Sequence, residues 1–249
     1  MIPKKIHYCW FGRNEKSGII KQCIQSWRDK LPDYEIIEWN EDNFDVDVCN
    51  YTKEAYENEK WAFVSDYVRL WALYHFGGVY LDTDVEVVKS LDGFLNNVAF
   101  TGYESKDSPI TAVMGCEQGN PIFKYLLSYY DDKSFIKLDG TMDFTTNTTT
   151  ITNMFKTLGI EPNGKVQKVD DLVIYPQITF CPNNFSRIFG IISPKSYTIH
   201  HFDQSWKGDE MKEPNIRRRC RRYFVGVLRN VIGTSSVAKL SQKVKRVLH

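Results

Sequence analysis

The segment Phe76-Gly77-Gly78-Val79-Tyr80-Leu81-Asp82-Thr83-Asp84 constrains this chain more than any other. Trp61 to Phe76 has the pattern of a helix, and the glycine pair supplies its C-terminal cap. Val79-Tyr80-Leu81 is short and wholly apolar, as a strand buried on both faces must be. That strand ends in two carboxylates two residues apart. In open α/β sheets, ligands gather at the carboxyl ends of strands. Two carboxylates placed there repel each other unless a cation joins them. Oxygen ligation favours Mg²⁺ or Mn²⁺, and such ions commonly bridge to phosphate oxygens. The segment therefore predicts a divalent metal gripping a diphosphate. The plainer alternative is a solvated turn between two strands.

The flanking sequence points to the same architecture. Ile2 to Phe11 reads as a strand, Ser17 to Lys30 as a helix, and Tyr34 to Trp39 as a second strand. Ile20, Cys23, Ile24 and Trp27 share one face of that helix. A strand–helix–strand opening indicates an α/β domain with a parallel sheet. Asp42 to Lys60 is polar and suits loop with a short helix. Val85 to Val88 continues in extended form after Asp84. Pro121 to Tyr130 and Thr150 to Leu158 look helical, with hydroxyl caps offered by Thr145 to Thr150. Leu172 to Tyr175 and Ser196 to His200 look like late strands. The 249 residues are enough for one large core, and 42% hydrophobic with 25% charged residues excludes disorder over most of the chain. Aromatic residues make up 14%. They suit an aromatic core, or flat faces for stacking bases and sugars.

A net charge of +1 hides an asymmetry. From Pro214 to His249 there are ten basic residues and no acidic ones, leaving 22 basic and 31 acidic residues before it. Apolar positions such as Phe224, Leu228 and Ile232 are interleaved with that charge. A basic amphipathic segment suits an anionic membrane surface. A solvated helical extension packed on the body is the competing reading, and nucleic acid is the least favoured partner. The chain thus divides into a domain over 1–213 and a helical basic extension over 214–249. No stretch is apolar enough to span a bilayer, and the opening residues lack the apolar run of a secretory signal. The six cysteines stand singly, which suits a reducing cytoplasm better than a disulfide framework or a zinc site.

Two further groups carry chemistry. Asp66 and Arg69 lie three apart on the apolar helix before the glycine pair and so share a face. Charges in such surroundings are paired or functional. They either form a mutual salt bridge or contact sugar and phosphate. Near the end, Ile199-His200-His201-Phe202-Asp203 brings a strand into a polar turn. Histidine suits a borderline metal such as Mn²⁺, and adjacent strand residues point opposite ways, so one histidine faces the site.

Together these segments resemble glycosyltransferase family 32. The resemblance rests on Ala62-Phe63-Val64-Ser65-Asp66-Tyr67-Val68-Arg69 with Gly77 to Asp84. The opening Ile2-Pro3-Lys4-Lys5-Ile6-His7-Tyr8-Cys9-Trp10-Phe11-Gly12 and the closing His200 with Ser205-Trp206 extend it. It implies a single-domain A-type nucleotide-sugar transferase fold with a mixed, mostly parallel sheet. It also implies a retaining transfer of a hexose-type sugar, from a donor expected to be UDP-linked, to a saccharide or lipid-linked saccharide. Surface or capsular polysaccharide synthesis is the implied setting. The expected location is cytoplasmic, at the inner membrane face where the tail holds it.

By that resemblance Trp10 stacks on the nucleobase, and Asp66 and Arg69 hold donor sugar and phosphate. Tyr80 and Asp82 reach the nucleotide. Asp82, Asp84 and His200 take Mn²⁺ or Mg²⁺. Ser205 and Trp206 cover the diphosphate. The catalytic set is Asp66, Arg69 and Asp84. No residue stands out as a covalent nucleophile, Asp66 and Glu104 being the conceivable ones. Two rivals remain. Asp82-Thr83-Asp84-Val85 also fits a haloacid-dehalogenase-like phosphatase, in which Asp82 is the nucleophile. A non-catalytic nucleotide-sugar-binding module is the other.

Overall fold

A computed structural model of the chain describes residues 1–182 and 193–203. Strand β1 (Lys5–Cys9) leads into helix α1 (Gly18–Lys30) and strand β2 (Glu35–Trp39). Helices α2 (Asn50–Glu57) and α3 (Trp61–Phe76) precede strands β3 (Gly78–Leu81) and β4 (Val85–Val87). Strands β5 (Ala99–Ser105) and β6 (Ser108–Cys116) then form a hairpin, followed by helices α4 (Pro121–Ser128) and α5 (Asn147–Thr157). Strands β7 (Gln167–Val169) and β8 (Leu172–Tyr175), the short helix α6 (Gln177–Phe180) and strand β9 (Thr198–His200) complete the described order.

The seven-stranded sheet has the order β2-β1-β3-β6-β5-β8-β7. Strands β2, β1, β3, β5 and β8 run one way, and β6 and β7 run against them. The fold is thus a mixed α/β sheet in which most strands are parallel. Strands β4 and β9 pair antiparallel in a separate ribbon.

Strand β3 shows why the sheet holds the site rigidly. Its residues are buried, with Tyr80 in the core layer under α3 and α4, and Val79 and Leu81 in the layer under α1. The alternation follows from strand geometry. Removing a valine or leucine side chain from water contributes roughly 1.5–3 kcal/mol, so a strand buried on both faces is firmly held. Helix α3 is apolar on most sides and buries Phe63, Val64, Tyr67, Val68, Leu70, Ala72 and Leu73.

The turn from α3 to β3 demands glycine. Gly77 has φ +61° and Gly78 φ +109°. A β-carbon would lie 2.7 Å from the Gln118 backbone nitrogen at Gly77, and 2.8 Å from the Lys5 carbonyl oxygen at Gly78. The chain can therefore reverse against β1 only without side chains.

Some elements differ from the sequence expectation. The opening strand covers Lys5–Cys9 rather than Ile2 to Phe11. Helix α5 starts three residues early because the Thr146 hydroxyl accepts the Thr149 amide at 3.3 Å and caps it there. The β5–β6 hairpin carried no legible signal, since nearly every residue in it is buried and the two-residue alternation is lost. Among the described residues, no helix is long and apolar enough to cross a membrane, and no disulfide joins the described cysteines. The basic extension from 214 onward lies outside the described residues.

Candidate functional site

Asp82 extends β3 by one ladder bond, its amide donating to the Ala112 carbonyl at 2.9 Å. The Val85 amide then donates to the Asp82 carbonyl at 2.9 Å and turns the chain. Strand β4 meets β9 with Val85 opposite His200. This pairing carries a residue from the end of the described chain to the carboxyl end of a central strand. Asp82, Asp84 and His200 each offer one ligand atom, and these atoms lie within 4.8 Å of one another.

Asp84 is held from two directions. His200 Nε2 lies 3.2 Å from Asp84 Oδ1, and the Asp203 amide donates to Asp84 Oδ2 at 2.7 Å. Burial pushes the Asp84 carboxyl up, but the His200 charge and these hydrogen bonds outweigh it and hold the group down at about 2. Burial pulls the His200 imidazole down, and the Asp84 charge outweighs that, raising it well above its ordinary value. His201 points the other way, with Nε2 2.9 Å from Glu86 Oε2. Strand alternation therefore puts His200, and not His201, beside the carboxylates.

Behind Asp82 lies Arg69. Its side chain is 6% exposed. It donates to Asp66 Oδ1 at 2.8 Å, to the Thr111 carbonyl at 2.9 Å and to the Ser65 carbonyl at 3.3 Å. Its Nη1 also lies 3.1 Å from Asp82 Oδ1, and its guanidinium sits 4.7 Å over the Tyr80 ring. Arg69 therefore ties Asp66 to Asp82, and its pairing with Asp66 is the mutual salt bridge that their three-residue spacing offered. Tyr80 supports the same carboxylate. It is 2% exposed, and its hydroxyl donates to Asp82 Oδ1 at 3.0 Å, so it positions the carboxylate from beneath.

Asp66 faces the N-terminus of α5, where Asn147 lies against it: Asn147 Nδ2 is 3.5 Å from the Asp66 carbonyl. Burial raises the Asp66 carboxyl to about 6, with the Arg69 charge opposing and the Asp82 charge adding to the rise. The sequence did not mark Asn147 as a neighbour of Asp66. The only available signal was its place at the start of a helix after a threonine run.

Trp10 follows β1 at the same edge of the sheet, with its amide donating to the Trp39 carbonyl at 2.9 Å. Its indole Nε1–H donates to the Asn14 carbonyl at 2.7 Å, and Lys16 Nζ lies 5.3 Å over the ring. Lys16 is fixed in turn by Glu38 at 2.9 Å, which also accepts the Tyr8 hydroxyl. The ring is thus oriented before any ligand arrives. Ser205 and Trp206 lie outside the described residues.

The family described as a glycosyltransferase sugar-binding region containing a DXD motif matches residues 19–101. That span includes α3, β3, Asp82 and Asp84. Over that third of the chain, the sequence is similar to that family. Inositol phosphoceramide mannosyltransferase 3 of Schizosaccharomyces pombe is 33% identical over 131 residues, covering 48% of this chain and 35% of that protein. Mannosyl phosphorylinositol ceramide synthase SUR1 of Saccharomyces cerevisiae is 32% identical over 146 residues, covering 55% of this chain and 37% of that protein. The chain spans little more than a third of the length of these relatives. The apo-form glycosyltransferase GlyE of Streptococcus pneumoniae TIGR4 aligns with a TM-score of 0.50 at 11% identity, covering 98% of this chain and 64% of that one. That likeness is one of fold.

Proposed function

We propose that this chain is a metal-dependent, retaining glycosyltransferase. It moves a hexose-type sugar from a nucleoside-diphosphate donor to a saccharide or lipid-linked saccharide. The observation that carries the reading is the convergence of Asp82 and Asp84, which lie in the region similar to DXD-type sugar-binding regions, with His200 at the end of β3. Two carboxylates and one imidazole suit Mn²⁺ or Mg²⁺. When bound, such an ion supplies Lewis-acid neutralisation of the departing diphosphate.

The protein's own groups do the rest. Arg69 and the Tyr80 hydroxyl hold Asp82 in line, and the Asp203 amide holds Asp84. Asp66 offers a carboxylate to sugar hydroxyls on the α3 side, and Trp10 offers a fixed ring to the base. Ser205 and Trp206 are proposed to close over the diphosphate. With retention, the acceptor hydroxyl attacks the face from which the diphosphate leaves, and a donor phosphate oxygen takes its proton.

The names of the fungal relatives make mannose the first donor sugar to try, beside the UDP-linked hexoses. Those names also favour a lipid-linked acceptor. A membrane-facing role for the basic extension, in surface polysaccharide synthesis, is part of the proposal.

The test is donor hydrolysis. The protein is incubated with Mn²⁺ and, in turn, UDP-glucose, UDP-galactose, UDP-N-acetylglucosamine and GDP-mannose. Release of nucleoside diphosphate from one donor, stopped by EDTA, is expected. Hydrolysis of an aryl phosphate with no release from any nucleotide sugar favours the phosphatase alternative instead.

A further inference from the structure

Phe144 is 57% exposed, yet it is not at the end of a loose loop. Its ring packs edge-on against Phe63 at 5.8 Å and Phe135 at 6.2 Å between centroids. The residue before it, Asp143, is buried and clamped. It takes a 2.6 Å ion pair from Lys133 and the Thr145 hydroxyl at 2.6 Å, and its own amide donates to the Phe135 carbonyl at 2.8 Å. A flat aromatic face is therefore presented to solvent in a fixed pose. A single exposed ring is ordinary on a protein surface, so the fixed pose of this one matters only through what stands beside it.

Its position identifies the contact. Phe63 stands three residues before Asp66 on α3, one helical turn away on the same face. Asn147 stands three residues after Phe144 and touches Asp66. Among the described residues, Asn147 Oδ1 is the only buried side-chain oxygen without a hydrogen-bond donor, and Asn147 is 5% exposed. A buried acceptor left without a donor calls for an explanation, and a ligand hydroxyl provides one. An apolar platform beside a carboxylate and an unfilled amide oxygen is the combination that recognises a pyranose. The ring's C–H face lies on the aromatic, and its hydroxyls meet the polar groups.

We infer that Phe144, with Asn147 and Asp66 at its edge, forms the platform that seats the acceptor sugar. This rests on the transferase reading and names a subsite of it. A lipid surface is the weaker fit for the same ring. Residues 131–143 carry Asp131, Asp132, Asp139 and Asp143 against Lys133 and Lys137, so this lip is acidic and repels anionic headgroups.

Saturation-transfer NMR tests it, using methyl α-mannopyranoside, methyl α-glucopyranoside and methyl β-galactopyranoside with the full chain, Mn²⁺ and UDP or GDP. The expected result is saturation of the ring C–H protons of at least one glycoside. In Phe144→Ala its binding should be roughly 2- to 10-fold weaker, the loss of one aromatic contact, and Phe144→Trp should restore it. Absence of signal from all three glycosides with the wild-type protein overturns the platform. So does equal binding by Phe144→Ala, or pelleting with anionic vesicles that depends on Phe144. Wild-type donor hydrolysis is read separately. Phe144-dependent glycoside binding without release from any donor supports the platform and contradicts the transferase reading alone.

Discussion

Arg69 presents its guanidinium to Asp66 at 2.8 Å and to Asp82 at 3.1 Å, nearly sealed from water. Without it, two carboxylates of like charge would stand close together in a buried place. Truncating one member of a buried ion pair costs about 3–5 kcal/mol, because the partner keeps its charge without compensation. Arg69→Met should therefore lower stability by about that amount at pH 7, read from the urea unfolding midpoint. A midpoint unchanged within error would mean that Arg69 does not carry the charge balance. Arg69→Lys should not rescue it fully, since one ammonium cannot match the several directed donors of the guanidinium.

At the scale of elements, the α3–β3 turn is fastened by a buried histidine. His7 Nδ1 accepts the Trp39 indole N–H at 3.1 Å, so Nε2 carries the proton and donates to the Gly77 carbonyl at 2.8 Å. A second proton would have to break the Trp39 bond. Burial lowers the His7 imidazole from 6.5 to about 4, with the Gly77 bond opposing. The unfolded chain thus binds the proton more readily than the folded one between those values. The stability His7 contributes is present above pH 6.5 and is lost as pH falls towards 4. Wild-type stability should fall by about 2 kcal/mol more than that of His7→Gln between pH 7 and pH 4.5, measured by urea titration at each pH. Parallel declines would contradict this.

These elements also show what a sequence discloses. The helix–glycine–strand unit was legible because its apolar run, its breaker and its terminal carboxylates each have a local cause. The choice of His200 over His201 was legible in part, since strand alternation assigns one of them to the site without saying which. The β5–β6 hairpin was not legible, because burial on both faces erases periodicity. The pairing of Arg69 with Asp66 was legible as one of two readings, but the reach of Arg69 to Asp82 and Thr111 was not. Its partner Asp82 lies 13 positions away and its Thr111 partner comes from the hairpin, so only the assembled sheet brings them together.

For the whole molecule, the fold brings Trp10, Asp66, Asp82 with Asp84, and His200 from four separate stretches to one edge. The residues before 214 carry net negative charge while those after carry ten unopposed positive charges. Binding to anionic vesicles should therefore depend on residues 214–249 and weaken steeply with salt. Sedimentation with phosphatidylserine vesicles at low ionic strength checks this, and equal binding after deletion of those residues would remove the membrane role.

The central claim is that Asp82, Asp84 and His200 take a divalent ion together with a nucleoside diphosphate. Mn²⁺ binding, followed by electron paramagnetic resonance with and without UDP or GDP, tests it most directly. The wild-type chain should bind Mn²⁺ more tightly when nucleotide is present. Asp84→Ala, with an unchanged far-ultraviolet circular dichroism spectrum, should lose affinity by more than the roughly 10–100-fold that a supporting residue costs. Equal Mn²⁺ affinity in the two proteins would contradict the claim.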